Sequence, residues 1–218
     1  MFIKFISLLA DFSILIPFLI FIIRGADILL IANKIILGYI SLMLLRNIIT
    51  SIMAEFSVYN IYLYNWHNLI NFTLITLLYY YVLQKRNFKL IAFVFIFIAT
   101  LIPFLDYQSL FDTKTIYFNR FSYNISGCLA IILILLFFYE LIQNLQVPEL
   151  KSFPLFWFSA GVLFYYSGTV FSYLFIKDTF NNLEARNQYW LIDSLLSIVL
   201  SIFLSLTVWY MKPIKPLK

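Results

Sequence analysis

Charge is what this chain has least of. Only 11% of its 218 residues are Asp, Glu, Lys or Arg, against roughly 25% in soluble domains, which excludes a water-soluble fold. Cysteine is almost absent. The one thiol, Cys128, permits no intrachain disulfide, and in its apolar run it reads as a small packing residue rather than a reactive thiolate. With one histidine, His67, the paired axial ligands of a membrane b-type haem are missing. No HExxH or Cys/His ligand spacing is present, nor a GxSxG nucleophile elbow. No cofactor or metal is therefore expected. The 15 basic residues give a net charge of +5 but are dispersed, without a block able to track nucleic acid. They suit anchoring to anionic lipid.

What the chain does have is apolar length. It is 63% hydrophobic and 21% aromatic, with a mean hydropathy of +0.94. Seven stretches approach or exceed the ~20 residues a helix needs to cross hydrocarbon. They are expected at Phe5–Ile23, Ile28–Ala54, Tyr59–Leu83, Phe88–Leu105, Ser122–Gln143, Phe153–Ile176 and Tyr189–Met211. Pro17 should kink the first, and Arg24-Gly25-Ala26-Asp27 should form a tight turn after it. The apolar start following Lys4 contains Asp11 and no small-residue cleavage site, so it is expected to be a retained helix. Closed barrels would need alternating polarity, which these stretches lack. The expectation is one all-α domain over 1–218, a polytopic seven-transmembrane-helix bundle.

Seven crossings place the termini on opposite sides. Arg24, Lys85, Arg86, Lys89, Lys151, Lys212, Lys215 and Lys218 would share one side, and Lys4, Lys114, Arg120, Lys177 and Arg186 the other. The basic excess therefore predicts a cytoplasmic C-terminus and an N-terminus outside.

A polar residue inside such a span is expensive and needs a reason. Asp11, Arg46, Asn47, Glu55, His67, Asn71, Asn124 and Asp193 all fall toward the outer ends. In the third span Asn60, Tyr64, His67 and Asn71, spaced i, i+4, i+7, i+11, make one narrow stripe flanked by Asn68. The second span offers Asn47, Ser51 and Glu55, and the seventh a seam of Ser194, Ser197, Ser201 and Ser205 for close helix approach. These residues predict an outward-facing ligand pocket floored by Tyr165 and Tyr166. The bland alternative is interhelical hydrogen bonding, with Arg46 paired to a carboxylate. Lys34 and Glu140, toward the inner side, either pair or leave Lys34 to snorkel. Gly161 and Gly168 suit close packing. The glycosylation patterns at Asn71 and Asn124 lie within helices and read as chance.

Asn119-Arg120, Tyr139-Glu140, the run Pro154-Leu155-Phe156-Trp157-Phe158-Ser159-Ala160-Gly161 and then Tyr165-Tyr166-Ser167-Gly168-Thr169 resemble a group of small bacterial seven-helix membrane proteins encoded near sensor histidine kinases. The resemblance covers roughly the last half of the chain and the polar ends of the second and third spans. It implies a receptor-like or accessory module and supplies no catalytic residues. The expected function is non-enzymatic binding of a small ligand, with the state passed to a histidine kinase or another membrane partner among the lipids. A transporter or channel subunit is the alternative, although the apolar run Ile131–Phe137 argues against an open pore. A lipid-modifying enzyme using Asp11, Glu55, His67 or Asp193 as acid or base has no motif behind it.

Overall fold

The computed structural model describes residues 2–25, 30–105, 107–114, 119–144, 149–174 and 183–211. Regular structure among them is helical throughout. In hydrocarbon a spanning backbone must satisfy its own N–H and C=O groups, and helices do so within one segment. The first expected span is two helices, α1 (Phe2–Ser13) and α2 (Leu15–Arg24), which meet at Ile14. Pro17 accounts for the break. It has no N–H for the Ser13 carbonyl, and its ring crowds that oxygen. Gly25 ends α2 at φ 57°, a left-handed conformation that suits glycine, with its N–H bonded to the Phe21 carbonyl. Ala26 and Asp27 of the expected turn lie outside the described residues.

The remaining elements are α3 (Ile31–Glu55), α4 (Ile61–Val82), α5 (Arg86–Leu105), the short α6 (Tyr107–Phe111), α7 (Arg120–Asn144), a 3-10 turn at Leu150–Ser152, α8 (Pro154–Leu174) and α9 (Leu183–Tyr210). Two loops differ from expectation. The stretch after Leu105 contains α6. The seventh span starts at Leu183 rather than Tyr189, because Leu183-Glu184-Ala185-Arg186 are all good helix formers. At the start of α7, Asn119 is the cap, accepting the Ser122 N–H at 3.0 Å. Pro154 opens α8, where its missing N–H costs nothing.

Among the described residues, six segments are long and apolar enough to cross a membrane: Phe5–Arg24, Ile31–Glu55, Arg86–Leu105, Arg120–Asn144, Pro154–Tyr173 and Trp190–Tyr210. Their outward faces carry exposed Phe, Leu and Ile, as on α5 at Leu90, Phe93, Phe97 and Leu101. Cys128 is also exposed, so it is not the packing residue expected. The 22-residue α4 is long enough but too polar to join the six. Its position explains the composition: it packs against α3, α5, α6 and α7, and Asn65, His67, Asn68 and Asn71 are all buried.

The bundle divides along its length. Toward the end where α2 stops, the interior is apolar: Ile36 and Ile40 of α3, Ile75 and Leu78 of α4, Leu133 and Ile134 of α7, Leu204 and Val208 of α9. Toward the end where α1 begins, it is polar. α8 closes on both neighbours through glycine. A Cβ on Gly127 of α7 would sit 2.3 Å from Val170 Cγ2 of α8, and one on Gly161 of α8 would sit 2.4 Å from Phe203 Cβ of α9. Gly168 approaches Leu196 in the same way, so Gly161 and Gly168 pack closely as the sequence suggests. Gly161→Ala is expected to cost about 1–3 kcal/mol through overpacking. Gly38→Ala, with nothing within 4 Å of its Cβ position, should gain up to about 1 kcal/mol from a stiffer unfolded chain. Unfolding midpoints in detergent would separate the two.

Candidate functional site

The polar half is assembled from six helices, α1, α3, α4, α7, α8 and α9. α3 supplies Arg46 and Asn47. The Arg46 Nε and Nη2 both donate to Asn47 Oδ1, at 2.9 and 2.6 Å, and Asn47 Nδ2 donates to the Asp11 carbonyl of α1 at 3.0 Å. The guanidinium lies 5.0 Å from the centre of the Tyr64 ring of α4, a cation–π arrangement. Tyr64 meets Trp190 of α9 edge-on, with centroids 6.0 Å apart. From α9, Asp193 accepts the hydroxyls of Tyr165 and Tyr173 on α8, both at 3.2 Å, through Oδ1.

Asp11, Arg46 and Asp193 thus converge from three helices. They line one cavity of about 40 Å³, together with Tyr64, Trp190 and the small residues Ser7, Ser194 and Ser197. The two carboxylates and the guanidinium act on one another through space. The expected contact between Arg46 and a carboxylate is not what forms: among the described residues, the hydrogen bonds of Arg46 go to Asn47. A second cavity of about 20 Å³ lies on the other side of Met43 and Arg46, lined by His67, Asn71, Tyr123, Tyr165, Tyr166 and Thr169 among others.

His67 and Asn71, each 6% exposed, are bonded to each other at 2.6 Å through Nε2 and Nδ2. The opposite atoms, His67 Nδ1 and Asn71 Oδ1, are buried with no partner. With Asn71 donating to Nε2, a neutral imidazole keeps its proton on Nδ1. The dyad then presents one free donor and one free acceptor, a pair that suits a water molecule, for which about 20 Å³ suffices.

Compared with protein-family models, curated proteins and solved structures, the chain has no match. The site must therefore be read from its own geometry.

That geometry sorts the expected residues. Asp11, Arg46, Asn47, Tyr64 and Asp193 share the first cavity, and His67, Asn71, Tyr165 and Tyr166 the second. Three stand apart. Glu55 is exposed at the last residue of α3. Asn60 donates to the Thr50 carbonyl at 3.1 Å, tying α4 to α3. Asn124 has a buried, unpartnered Oδ1 but lines neither cavity. The expected edge Asn47-Ser51-Glu55 drifts off the inward face because eight residues at 100° each overshoot two turns by about 80°. The buried line on α3 is instead Met43, Asn47 and Thr50.

Sequence reasoning missed Tyr173 and Tyr123. Tyr173 binds Asp193, and Tyr123 donates to the Tyr64 carbonyl at 2.7 Å. It also missed Asn65, which donates to the Ser109 carbonyl at 2.8 Å and accepts the Asn119 N–H at 3.1 Å, fastening α6 and the start of α7 to α4. A fourth asparagine in one expected span, beside Asn60, Asn68 and Asn71, was the available signal. The serine seam of α9 faces α1, where Ser201 Oγ lies 2.8 Å from Ser13 Oγ, while the close approach to α8 runs through glycine.

At the opposite end, Lys34 is exposed and does not meet Glu140. Glu140 of α7, 4% exposed, accepts the backbone N–H of Gln84 and of Lys85, both at 2.8 Å. It caps the start of α5 from a neighbouring helix. Among the described residues, no three His, Cys, Asp or Glu side chains are grouped as metal ligands.

Proposed function

We propose that this chain is a bacterial inner-membrane protein of seven crossings, with its N-terminus outside. In this reading it is a receptor-like or accessory module that binds a small ligand in its outer half and acts through a separate partner such as a histidine kinase. The observation that carries the reading is the convergence of Asp11, Arg46 and Asp193 on one cavity. Intramembrane ionisable groups collected around a space, rather than scattered toward lipid, mark a functional site by default. The seventh crossing is supported by α4. Its 22 residues span about 33 Å at 1.5 Å per residue, and neighbouring helices shield its asparagines from lipid. The orientation is supported by the basic excess of the expected inner loops, and the partner by the resemblance of the chain's second half.

The ligand class follows from charge and size. Two carboxylates face one guanidinium, so the cavity favours a guest with positive charge. A volume of about 40 Å³ admits roughly one or two water-sized groups, which suits a small monovalent cation or ammonium group. The apolar block of α4, α7 and α9 beneath the site disfavours a conducting path.

The test is a thermal-shift panel on purified protein, with sodium, potassium, ammonium and methylammonium chloride at constant ionic strength against a bulky cation. One small cation should stabilise the wild type, by about 2.7 kcal/mol at a hundredfold excess over Kd. Asp193→Asn and Asp11→Asn, which each remove one carboxylate from the cavity, should lose the effect while still inserting into membranes. Wild-type responses in both variants, or no response to any of the cations, would reject the site.

A further inference from the structure

An apolar groove of about 290 Å³ runs along the outside of the bundle between the first span and α9. Ile16 and Ile20 form one wall, and Ile202, Leu206 and Trp209 the other. Its floor contains three serines, yet it offers no free hydroxyl. Ser13 donates to the Ala10 carbonyl at 2.7 Å and lies against Ser201. Ser201 and Ser205 donate to the carbonyls of Ser197 and Ser201, at 3.0 and 2.7 Å. With those groups satisfied inside the protein, the slot is suited to hydrocarbon alone.

One end of the slot is different. The Arg24 guanidinium, at the last residue of α2, lies 4.2 Å from the centre of the Trp209 ring and donates Nη1 to the Trp209 carbonyl. Arginine carries five N–H donors, so most remain for an external acceptor. Beyond Trp209 the sequence adds Lys212, Lys215 and Lys218 and no acid, while Asp27 is the one acid close behind Arg24. An apolar slot in the lipid-facing wall that ends at a stacked guanidinium complements a phospholipid: hydrocarbon along the slot, phosphate at its mouth.

We propose that this groove holds an acyl chain of an anionic phospholipid whose phosphate is bound by Arg24. The groove shares Ser201 with the first polar cavity, but the proposal does not depend on that cavity's function. The experiment is native mass spectrometry of the full chain, delipidated in detergent and then offered equal amounts of phosphatidylglycerol and phosphatidylcholine. Wild type should retain one phosphatidylglycerol, about fivefold over phosphatidylcholine, the factor expected from about 1 kcal/mol per basic residue at the surface. Arg24→Gln should erase the preference, and Arg24→Lys should keep part of it. Ile202→Trp, which fills the slot from an exposed position, should lower retention of both lipids at unchanged helicity. Equal retention of the two lipids by the wild type, retention insensitive to Arg24→Gln and Ile202→Trp, or a dimer that Ile202→Trp abolishes would each overturn the proposal; the last would make a second copy the occupant.

Discussion

Arg46→Gln is expected to destabilise the protein by about 3 kcal/mol, and Asp193→Asn in the same chain to return part of that loss. Among the described residues, the guanidinium is the one basic group lining the first cavity, which also holds Asp11 and Asp193. Removing it leaves two like charges where each charge costs roughly 2.5–3.5 kcal/mol on insertion scales, and stripping one side from a buried charged set typically costs about 3–5 kcal/mol. The Asn47 oxygen loses both of its guanidinium donors as well, and a buried acceptor without a partner is itself costly. Arg46→Lys should fall between. An ammonium keeps the charge but cannot reproduce the two-pronged bond to Asn47 or the contact with the Tyr64 ring. A double-mutant cycle by reversible unfolding in detergent should give Arg46 and Asp193 a coupling of about 1–2 kcal/mol. A cycle that closes at zero would mean that the two groups do not sense each other across the cavity.

Glu140→Ala is expected to cost about 3 kcal/mol and to loosen the end of the bundle remote from the polar cavities. Its carboxylate accepts two backbone N–H groups at the start of α5, and hydrogen bonds to a charged group contribute roughly 1.5–3 kcal/mol each. Both donors belong to the connection between α4 and α5, just ahead of Arg86, where neither helix offers them an acceptor and α7 provides one. The negative charge also faces the positive end of the α5 dipole. Glu140→Gln should lose about half as much, because its one acceptor oxygen can serve one N–H while its amide must face the other. Hydrogen exchange at Gln84 and Lys85 should quicken in both variants. Unchanged exchange there, or an unchanged unfolding midpoint in Glu140→Ala, would contradict the cap.

Glu140 also shows where sequence reasoning runs short. Its place in an apolar run toward the inner side was legible, and of the two readings offered, pairing with Lys34 or a snorkelling Lys34, the exposed Lys34 excludes the pairing. Its actual partners are backbone N–H groups, which leave no trace in side-chain composition. Pro17 was legible as a kink because its effect is local: the lost N–H and the ring clash both fall on Ser13, four residues back. The stripe Asn60-Tyr64-His67-Asn71 was legible as inward-facing because helical periodicity is local too. The edge Asn47-Ser51-Glu55 failed for the same physics carried further, since spacing by fours rotates steadily around the helix.

The sequence by itself determined the solvent and the element type. In hydrocarbon, long apolar stretches with few charges have little choice but to satisfy their backbone within helices, and six of the expected spans are long and apolar enough to do so. It also singled out the polar residues that a membrane would not leave facing lipid. Only the tertiary structure decided which of them meet: Asp193 with Tyr165 and Tyr173, Arg46 with Asn47 between two carboxylates, His67 with Asn71, and Glu55 with none of these. Those meetings depend on how each helix is rotated, tilted and paired. Such choices are set by contacts between segments far apart in the chain, including the glycine approaches of α7, α8 and α9, and no spacing within one segment encodes them.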